Sequence, residues 1–450
     1  MTHVRFPLPV TVRRGVGVLV TGLIAGVGVV VFRWTLRALV DLLQHAIGVK
    51  RLVAVTEISR LTGGRLWLLP VFILIGFLLA KVVSVKSGVA RRGERGADRV
   101  IEVVNGSTVK LPMPEALGTG VAGVIALGTG VSGGPEGPIA MLVGGPLINW
   151  LPRLGLEKRD VRMFVACGVG AALACLFQAP LAGVLLAGEL FVVGGFLGVV
   201  ILPGLLITAI AWGVDTAVYG GSPLIGHLSF GTIHPEAYAT ALVAGVMAGA
   251  IGLLYRWWIV VAGKEIIRCS RSAWWRWAVI ALAVTVITSG IALVAPEVLS
   301  TGTGWIRLVT LGAVLRSWPL WLLLLVPVAR LVLTGLSLSA EAPIGVLGPA
   351  LIIGTFSGAA LWRLAALAHV PVSFGSLATV ALLMFAAVFG SIGRVPLSMI
   401  VIALEATGSM TIAPLLVVAV GVATVIVHRR GMTIFGAQAT PGQSPLAPLG

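Results

Sequence analysis

One acid stands out by its neighbours. Glu136 lies in the run Gly133-Gly134-Pro135-Glu136-Gly137-Pro138, between stretches that are otherwise apolar. A carboxylate at membrane depth is costly, and by default it marks function. The surrounding residues indicate which function. Glycine lets a backbone approach a ligand closely, and proline suits a helix's first turn, where its missing N–H is no loss. A helix starting there presents free N–H groups and the positive end of its dipole, which together make an anion site. Ionised Glu136 would fill that site itself, and protonated Glu136 would leave it. One side chain then serves as both gate and proton carrier. The blander reading is a structural glutamate in a salt bridge, with Arg394 as the intramembrane partner.

The construction occurs twice. Gly345-Val346-Leu347-Gly348-Pro349 repeats it 211 residues later without the acid. Pro180-Leu181, followed by an apolar run to Glu189, returns 216 residues later as Pro396-Leu397 and a run to Glu405. Gly/Pro-interrupted apolar segments in corresponding places of two halves point to a transport site between repeats. Two helix N-termini aimed at one point would hold a dehydrated halide without a full positive charge. Gly134, Gly137 and Gly345 are the candidate anion-site glycines.

The elements that must position these residues are membrane helices. Of 450 residues, 58% are hydrophobic and 11% charged, against roughly 25% charged in a soluble protein. So few charges cannot cover a soluble surface of this size, which sets aside soluble enzymes and disordered chains. The net charge of +16 comes from short basic runs at 13–14, 91–99, 153–162, 264–276 and 428–430, between apolar stretches. Cytoplasmic loops carry such runs, so nucleic acid is not the partner implied. The apolar stretches lie at roughly 15–30, 67–85, 117–130, 137–151, 163–176, 180–213, 238–263, 277–295, 318–338, 345–367, 376–391 and 395–427. Several approach the ~20 residues that span a bilayer and others are too short. Short Gly/Pro-bounded segments read as broken or re-entrant helices, tolerated where they line a cavity or are buried in protein. One membrane domain fills residues 1–430, with repeats at roughly 67–260 and 277–430. Residues 431–450 form a short segment completing the pathway, and no separate soluble domain or cleavable leader is evident.

The ordered motifs resemble those of the CLC chloride channel and transporter family. Residues 132–138 are similar to its G-[KR]-E-G-P motif, with Pro135 in the basic position, and 345–349 to its G-x-F-x-P motif, with Leu347 for Phe. Phe177 to Glu189 and Gly393 to Glu405 are similar to its following helices, so the likeness runs from about 90 to 445. It implies an all-α integral membrane fold of two inverted repeats with tilted, partial helices, and a homodimer with one anion pathway per subunit. Carried over by position, Glu136 matches the gating glutamate, and the backbone N–H groups of Val346 and Leu347 match those that coordinate the central anion. The first motif, G-S-G-I-P, would fall between Glu94 and Val100, where no serine stands; its register between Arg95 and Asp98 is open. The family's ion-coordinating tyrosine position is taken by Phe435, so both inner hydroxyl ligands are missing. In the family's exchangers the inner proton acceptor is the second acid of a Glu-Glu pair. Ungapped counting from Phe177 puts the first acid at Glu189 and Leu190 at the second; a one-residue shift would make Glu189 the acceptor.

Rival motifs fare worse. Gly118-Thr119-Gly120-Val121-Ala122-Gly123 satisfies GxGxxG but lies in an apolar stretch with no preceding strand, so it reads as close helix packing. Gly130-Val131-Ser132-Gly133 is similar to the G-x-S-G of intramembrane serine hydrolases, which need a histidine base beside the serine. His45 and His369 are the candidates, and neither sits in a base motif. Cys167, Cys175 and Cys269 form no CxxC pair and read as small core residues, and no metal-ligand spacing occurs. The sequence therefore predicts permeation of small inorganic anions, chloride foremost, channel-like and uncoupled, gated by Glu136. A proton-coupled chloride antiporter is the alternative, and a hydrolase using Ser132 is the alternative from another class. No cofactor or metal is expected. The partners expected are the anion, protons in the coupled case, the bilayer and a second copy. The location expected is the plasma membrane, with both termini cytoplasmic.

Overall fold

Inside lipid an apolar segment satisfies its backbone polar groups only by coiling on itself or by closing a barrel. Every regular element among the described residues of this computed structural model is a helix; they cover 9–48, 65–88, 96–105, 111–191, 197–312 and 318–428. The first half carries α1 (Val10–Ile47), α2 (Leu68–Lys86), α3 (Gly96–Asn105), α4 (Met113–Gly128), α5 (Glu136–Trp150), α6 (Lys158–Phe177), α7 (Pro180–Leu186), α8 (Leu197–Tyr219) and α9 (Ala237–Trp257). The second carries α10 (Gly263–Ser272), α11 (Trp274–Ala292), α12 (Thr303–Thr310), α13 (Leu320–Ser339), α14 (Leu347–Leu367), α15 (Leu377–Gly393), α16 (Pro396–Thr407) and α17 (Ala413–His428). Eight helical stretches are long and apolar enough to cross a bilayer, and several others, α4, α15, α16 and α17 among them, are shorter.

The breaks fall where the chemistry of the chain puts them. Pro180 and Pro396 each open a helix, α7 and α16, after a left-handed residue at the end of the preceding one, Gln178 (φ 55°) and Arg394 (φ 57°). The apolar stretch at 180–213 is not one helix: α7 runs into a π-helical turn, Ala187–Phe191, and α8 begins afresh at Leu197. The first apolar stretch extends well beyond 15–30, because α1 continues through Arg33 and Arg37 for 38 residues.

Equivalent pieces of the two halves touch reciprocally. Gly134 and Gly345 form an isolated antiparallel bridge, Gly134 N–H donating to the Gly345 carbonyl (2.8 Å) and Gly345 N–H to that of Gly134 (2.6 Å). Glu189, just past α7, accepts hydrogen bonds from the Leu397 and Ser398 N–H groups at the start of α16 (3.0 and 2.8 Å) and from the Ser398 hydroxyl (2.6 Å). Glu405 in α16 accepts from the Leu181 and Ala182 N–H groups at the start of α7 (2.9 and 3.0 Å). Each carboxylate caps the other half's short helix, satisfying N–H groups that lack a partner within it.

The glycine run in α4 packs as read from the sequence. A Cβ on Gly118 would run into Ser87, one on Gly120 into Leu142, and one on Gly123 into Pro138 and, at 2.6 Å, the Pro343 carbonyl oxygen. Through Gly123, α4 lies directly against both loops that carry the repeated motif. Cys167 and Cys175 are buried as core residues; Cys269 is exposed on α10, because that segment is polar and helical where a core position was expected.

Candidate anion site

The two glycine-proline motifs meet. Pro135 caps α5 and Val346 caps α14, so the first turns begin at Glu136 and Leu347. The bridge between Gly134 and Gly345 holds these helix starts head to head, and the Glu136 side chain, 1% exposed, lies between them. A Cβ on Gly134, Gly345 or Gly348 would collide with its carboxylate. Glycine is required at 134 and 345 because the carboxylate occupies the space a side chain would need. The backbone N–H groups of Leu347 and Gly348 face the carboxylate, while neither of its oxygens completes a hydrogen bond with ideal geometry. A carboxyl group thus sits on the amino end of a helix from the other half, and among the described residues no cation is bonded to it.

The geometry bears on three sequence expectations. Gly134 and Gly345 do not offer their N–H groups to a ligand, because they donate to each other; their part is to leave room. The N–H groups facing the carboxylate are those of Glu136 itself, Gly348 and Leu347, so Leu347 is shared with the pair that the resemblance assigns to the central anion. Arg394 is not the partner of Glu136: its guanidinium bonds His428 Nε2 at 3.2 and 3.0 Å. Gly137 lies against the second motif, where an added Cβ would stand 3.5 Å from the Ile344 carbonyl.

The N-terminus of α3 also arrives at this place. A Cβ on Gly96 would be 2.8 Å from the Gly137 carbonyl oxygen. Within the described residues α3 runs from Gly96, with Asp98 in its first described turn. Arg95, Phe435 and the segment 431–450 lie outside the described residues.

Residues that sequence reasoning passed over build the surroundings. Arg330 of α13 is fully buried and donates to the carbonyls of Glu297 (3.2 Å), Leu299 (3.0 Å) and Ser300 (2.7 Å), and to the Ser132 hydroxyl (3.1 Å). The Ser300 carbonyl also receives Gly133 N–H at 3.3 Å, so this arginine fixes the approach to Glu136. Ser132 has a permanent cation as partner, and a guanidinium cannot take its proton as a general base does. That removes the hydrolase reading. Arg330 sits in the apolar run 318–338, and the rule that singled out Glu136 would have found it.

A cavity of about 600 Å³ opens beside the motif, lined by Pro135, Arg33, Arg37, Gln178, Ser300 and Gly302 among others. Arg33 grips buried Asp215 with both carboxylate oxygens (3.0 and 2.9 Å), and Gln178 donates to the same acid at 3.0 Å. The Arg33 guanidinium stacks 4.3 Å from the Tyr219 ring centre. The cavity thus joins polar surface to Pro135, one residue from Glu136.

Leu190 is 1% exposed and apolar, and the Glu189 carboxylate is fully engaged in capping α16. Among the described residues no cluster of three or more His, Cys, Asp or Glu side chains could hold a metal ion.

Helices that meet by their amino ends inside a multi-span helical bundle define a class of polytopic membrane proteins. Within that class, the family model for voltage gated chloride channels matches residues 71–428, and the chain belongs to that family. It is 27% identical over 241 residues to the voltage-gated ClC-type chloride channel ClcB of Citrobacter koseri, covering 53% of this chain and 55% of that protein. It is 25% identical over 308 residues to the H(+)/Cl(-) exchange transporter ClcA of the same organism, covering 67% and 63%. The chain thus spans between about half and two thirds of the length of these relatives. Its fold is that of a slow cyanobacterial Cl-/H+ antiporter (TM-score 0.78, 21% identity, 95% of this chain and 97% of that one). A CLC-type fluoride/proton antiporter is similar too, with a TM-score of 0.73, 23% identity, and 95% and 98% of the two chains covered.

Proposed function

We propose that this protein carries small inorganic anions, chloride foremost, across a membrane, and that Glu136 gates the passage. The observation that carries this reading is the Glu136 carboxylate lodged on the N-terminus of α14, with no cation bonded to it among the described residues: the gate rests in the anion's place. Conduction requires the carboxylate to leave, and protonation removes the charge that holds it. The sign follows directly. The ionised form closes the site, so flux rises as pH falls, and Glu136→Gln conducts with little pH dependence. Anion flux into proteoliposomes, followed against pH for wild type and Glu136→Gln, tests this; the same steep profile in both would assign the gating proton elsewhere.

The pathway reading is uncoupled and channel-like, since Leu190 offers no proton site and Glu189 is committed as a cap. Proton-coupled exchange is the second reading, favoured by the similarity to proteins described as H(+)/Cl(-) exchangers and fluoride/proton antiporters. The repeats at roughly 67–260 and 277–430 are supported by the reciprocal contacts between halves. A homodimer with one pathway per subunit goes with the family. For orientation, the start of α1 sits by the start of α6, where Arg14 pairs with Asp160 at 2.8 Å and Arg13 bonds the Gly155 carbonyl. Helix α17 ends beside the last turns of α9, which leads into basic α10. Basic residues at 13–14, 153–162, 264–276 and 428–430 accompany these ends. The proposed topology therefore puts both termini in the cytoplasm, the cavity beside Pro135 facing outward, and the protein in the plasma membrane.

A further inference from the structure

Tyr255 is completely buried on α9, and its hydroxyl donates a 2.8 Å hydrogen bond to the carbonyl of Val346. Val346 is the cap residue of α14, and its peptide bond to Leu347 is trans. In a trans peptide the carbonyl and the following N–H point in opposite directions. The Val346 carbonyl and the Leu347 N–H are therefore two ends of one rigid plane. One end is held by the phenol and the other faces the Glu136 carboxylate.

A cap residue's carbonyl already closes the first turn of its helix. The phenol uses the second lone pair and adds a tie to a different element, α9. It also lengthens the hydrogen-bond chain to O–H to carbonyl to N–H, and successive hydrogen bonds polarise one another. Packing alone would not call for the hydroxyl, because phenylalanine fills the same volume without a polar group to satisfy.

We propose that Tyr255 is a positioning residue of the anion site: by anchoring the Val346 carbonyl it aims and polarises the Leu347 N–H toward whatever anion occupies the end of α14, the Glu136 carboxylate at rest or a halide in transit. This rests on the anion-pathway reading given above. Tyr255 touches no ion itself; it acts through the peptide plane.

The test uses the full chain in proteoliposomes, with Tyr255→Phe made both alone and in Glu136→Gln, where no carboxylate competes for the site. In the Glu136→Gln background, Tyr255→Phe should raise the chloride concentration for half-maximal flux about fivefold, as expected for weakening one hydrogen bond to a charged partner. Chloride binding by calorimetry should weaken in parallel. With Glu136 present, the carboxylate is also held less firmly, so Tyr255→Phe should shift the pH of half-maximal flux upward. A merely structural hydroxyl would lower the thermal midpoint and the yield of folded protein, but leave the chloride dependence and pH profile of the folded fraction unmoved; that outcome overturns the inference. Should Tyr255→Phe fold poorly, p-fluorophenylalanine at position 255 fills the hydroxyl's place without donating and reads the same quantities. If neither wild type nor Glu136→Gln carries or binds chloride, the anion-pathway reading fails and the inference fails with it. If both do and Tyr255→Phe matches its parent, the inference alone is overturned.

Discussion

Glu136 and Arg330 are opposite solutions to charge inside an apolar bundle. Arg330 bonds three carbonyls and a hydroxyl and lies near the buried Glu297 carboxylate, so its charge is held by many partners and has no reason to move. Glu136 faces backbone N–H groups and, among the described residues, no cation, so a competing anion would meet the same N–H groups. The first arrangement suits a permanent tie and the second a gate. Replacing Arg330 with Met leaves the Leu299 and Ser300 carbonyls and the Ser132 hydroxyl without this donor, which should cost about 3–5 kcal/mol, the range for stripping the partner from a buried charged network. A lowered thermal midpoint in detergent would register this; an unchanged midpoint would show that water satisfies those carbonyls. The site's glycine-proline grammar and the isolated acid were legible in the sequence because composition and spacing carry them. Arg330 was open to the same rule, as a lone charge in an apolar run, whereas Tyr255 was not, since its role comes from a contact with a segment 91 residues away and no local pattern announces it.

At the scale of elements, short helices α7 and α16 need ends that a longer helix would spread over more turns. Seven and twelve residues leave a large share of backbone N–H groups without internal acceptors. Glu189 and Glu405 supply acceptors across the repeat, so each helix is completed by the other half of the chain. Glu189→Ala removes three hydrogen bonds and Glu405→Ala two. Each should lower stability by about 1–3 kcal/mol, the larger loss in Glu189→Ala. Thermal unfolding of the two variants side by side checks the order; equal midpoints with wild type would mean that lipid-facing water caps these ends instead. The duplication itself was visible as a 216-residue offset between the two proline-to-glutamate runs. What the offset could not reveal is that each acid serves the other copy's helix, because a sequence repeat does not state how its halves are placed. Helix boundaries were legible where proline or glycine marks them, as at Pro180, Pro396 and Glu136. The join between α7 and α8 was not, since an unbroken apolar run hides the π-helical turn at Ala187–Phe191.

At the scale of the whole molecule, the question is whether anion movement is tied to proton movement. Exchange requires Glu136 to hand its proton to a second ionisable group toward the opposite face. Leu190 cannot receive it. Glu189 would have to become protonated while accepting from the Leu397 and Ser398 N–H groups and the Ser398 hydroxyl, and protonation weakens it as an acceptor for those N–H groups even where the hydroxyl turns to accept from it. Glu405 is bound in the same way by Leu181 and Ala182. A proton resting on either acid would weaken the cap that holds a short helix, so each transit would loosen the contact between repeats. Without a receiving group, moving a proton through the apolar bundle is costly. On the uncoupled reading proposed above, Glu136 takes protons from the cavity side and releases them there, opening and closing without carrying any across. The expectation is that a chloride gradient imposed on proteoliposomes at equal pH drives chloride without sustained proton movement. Sustained uphill proton movement that disappears in Glu136→Ala would overturn the uncoupled reading and establish exchange. Repeating the measurement in Glu189→Gln and Glu405→Gln would then show which cap carries the proton, since only the variant on the route should lose proton movement while retaining chloride flux.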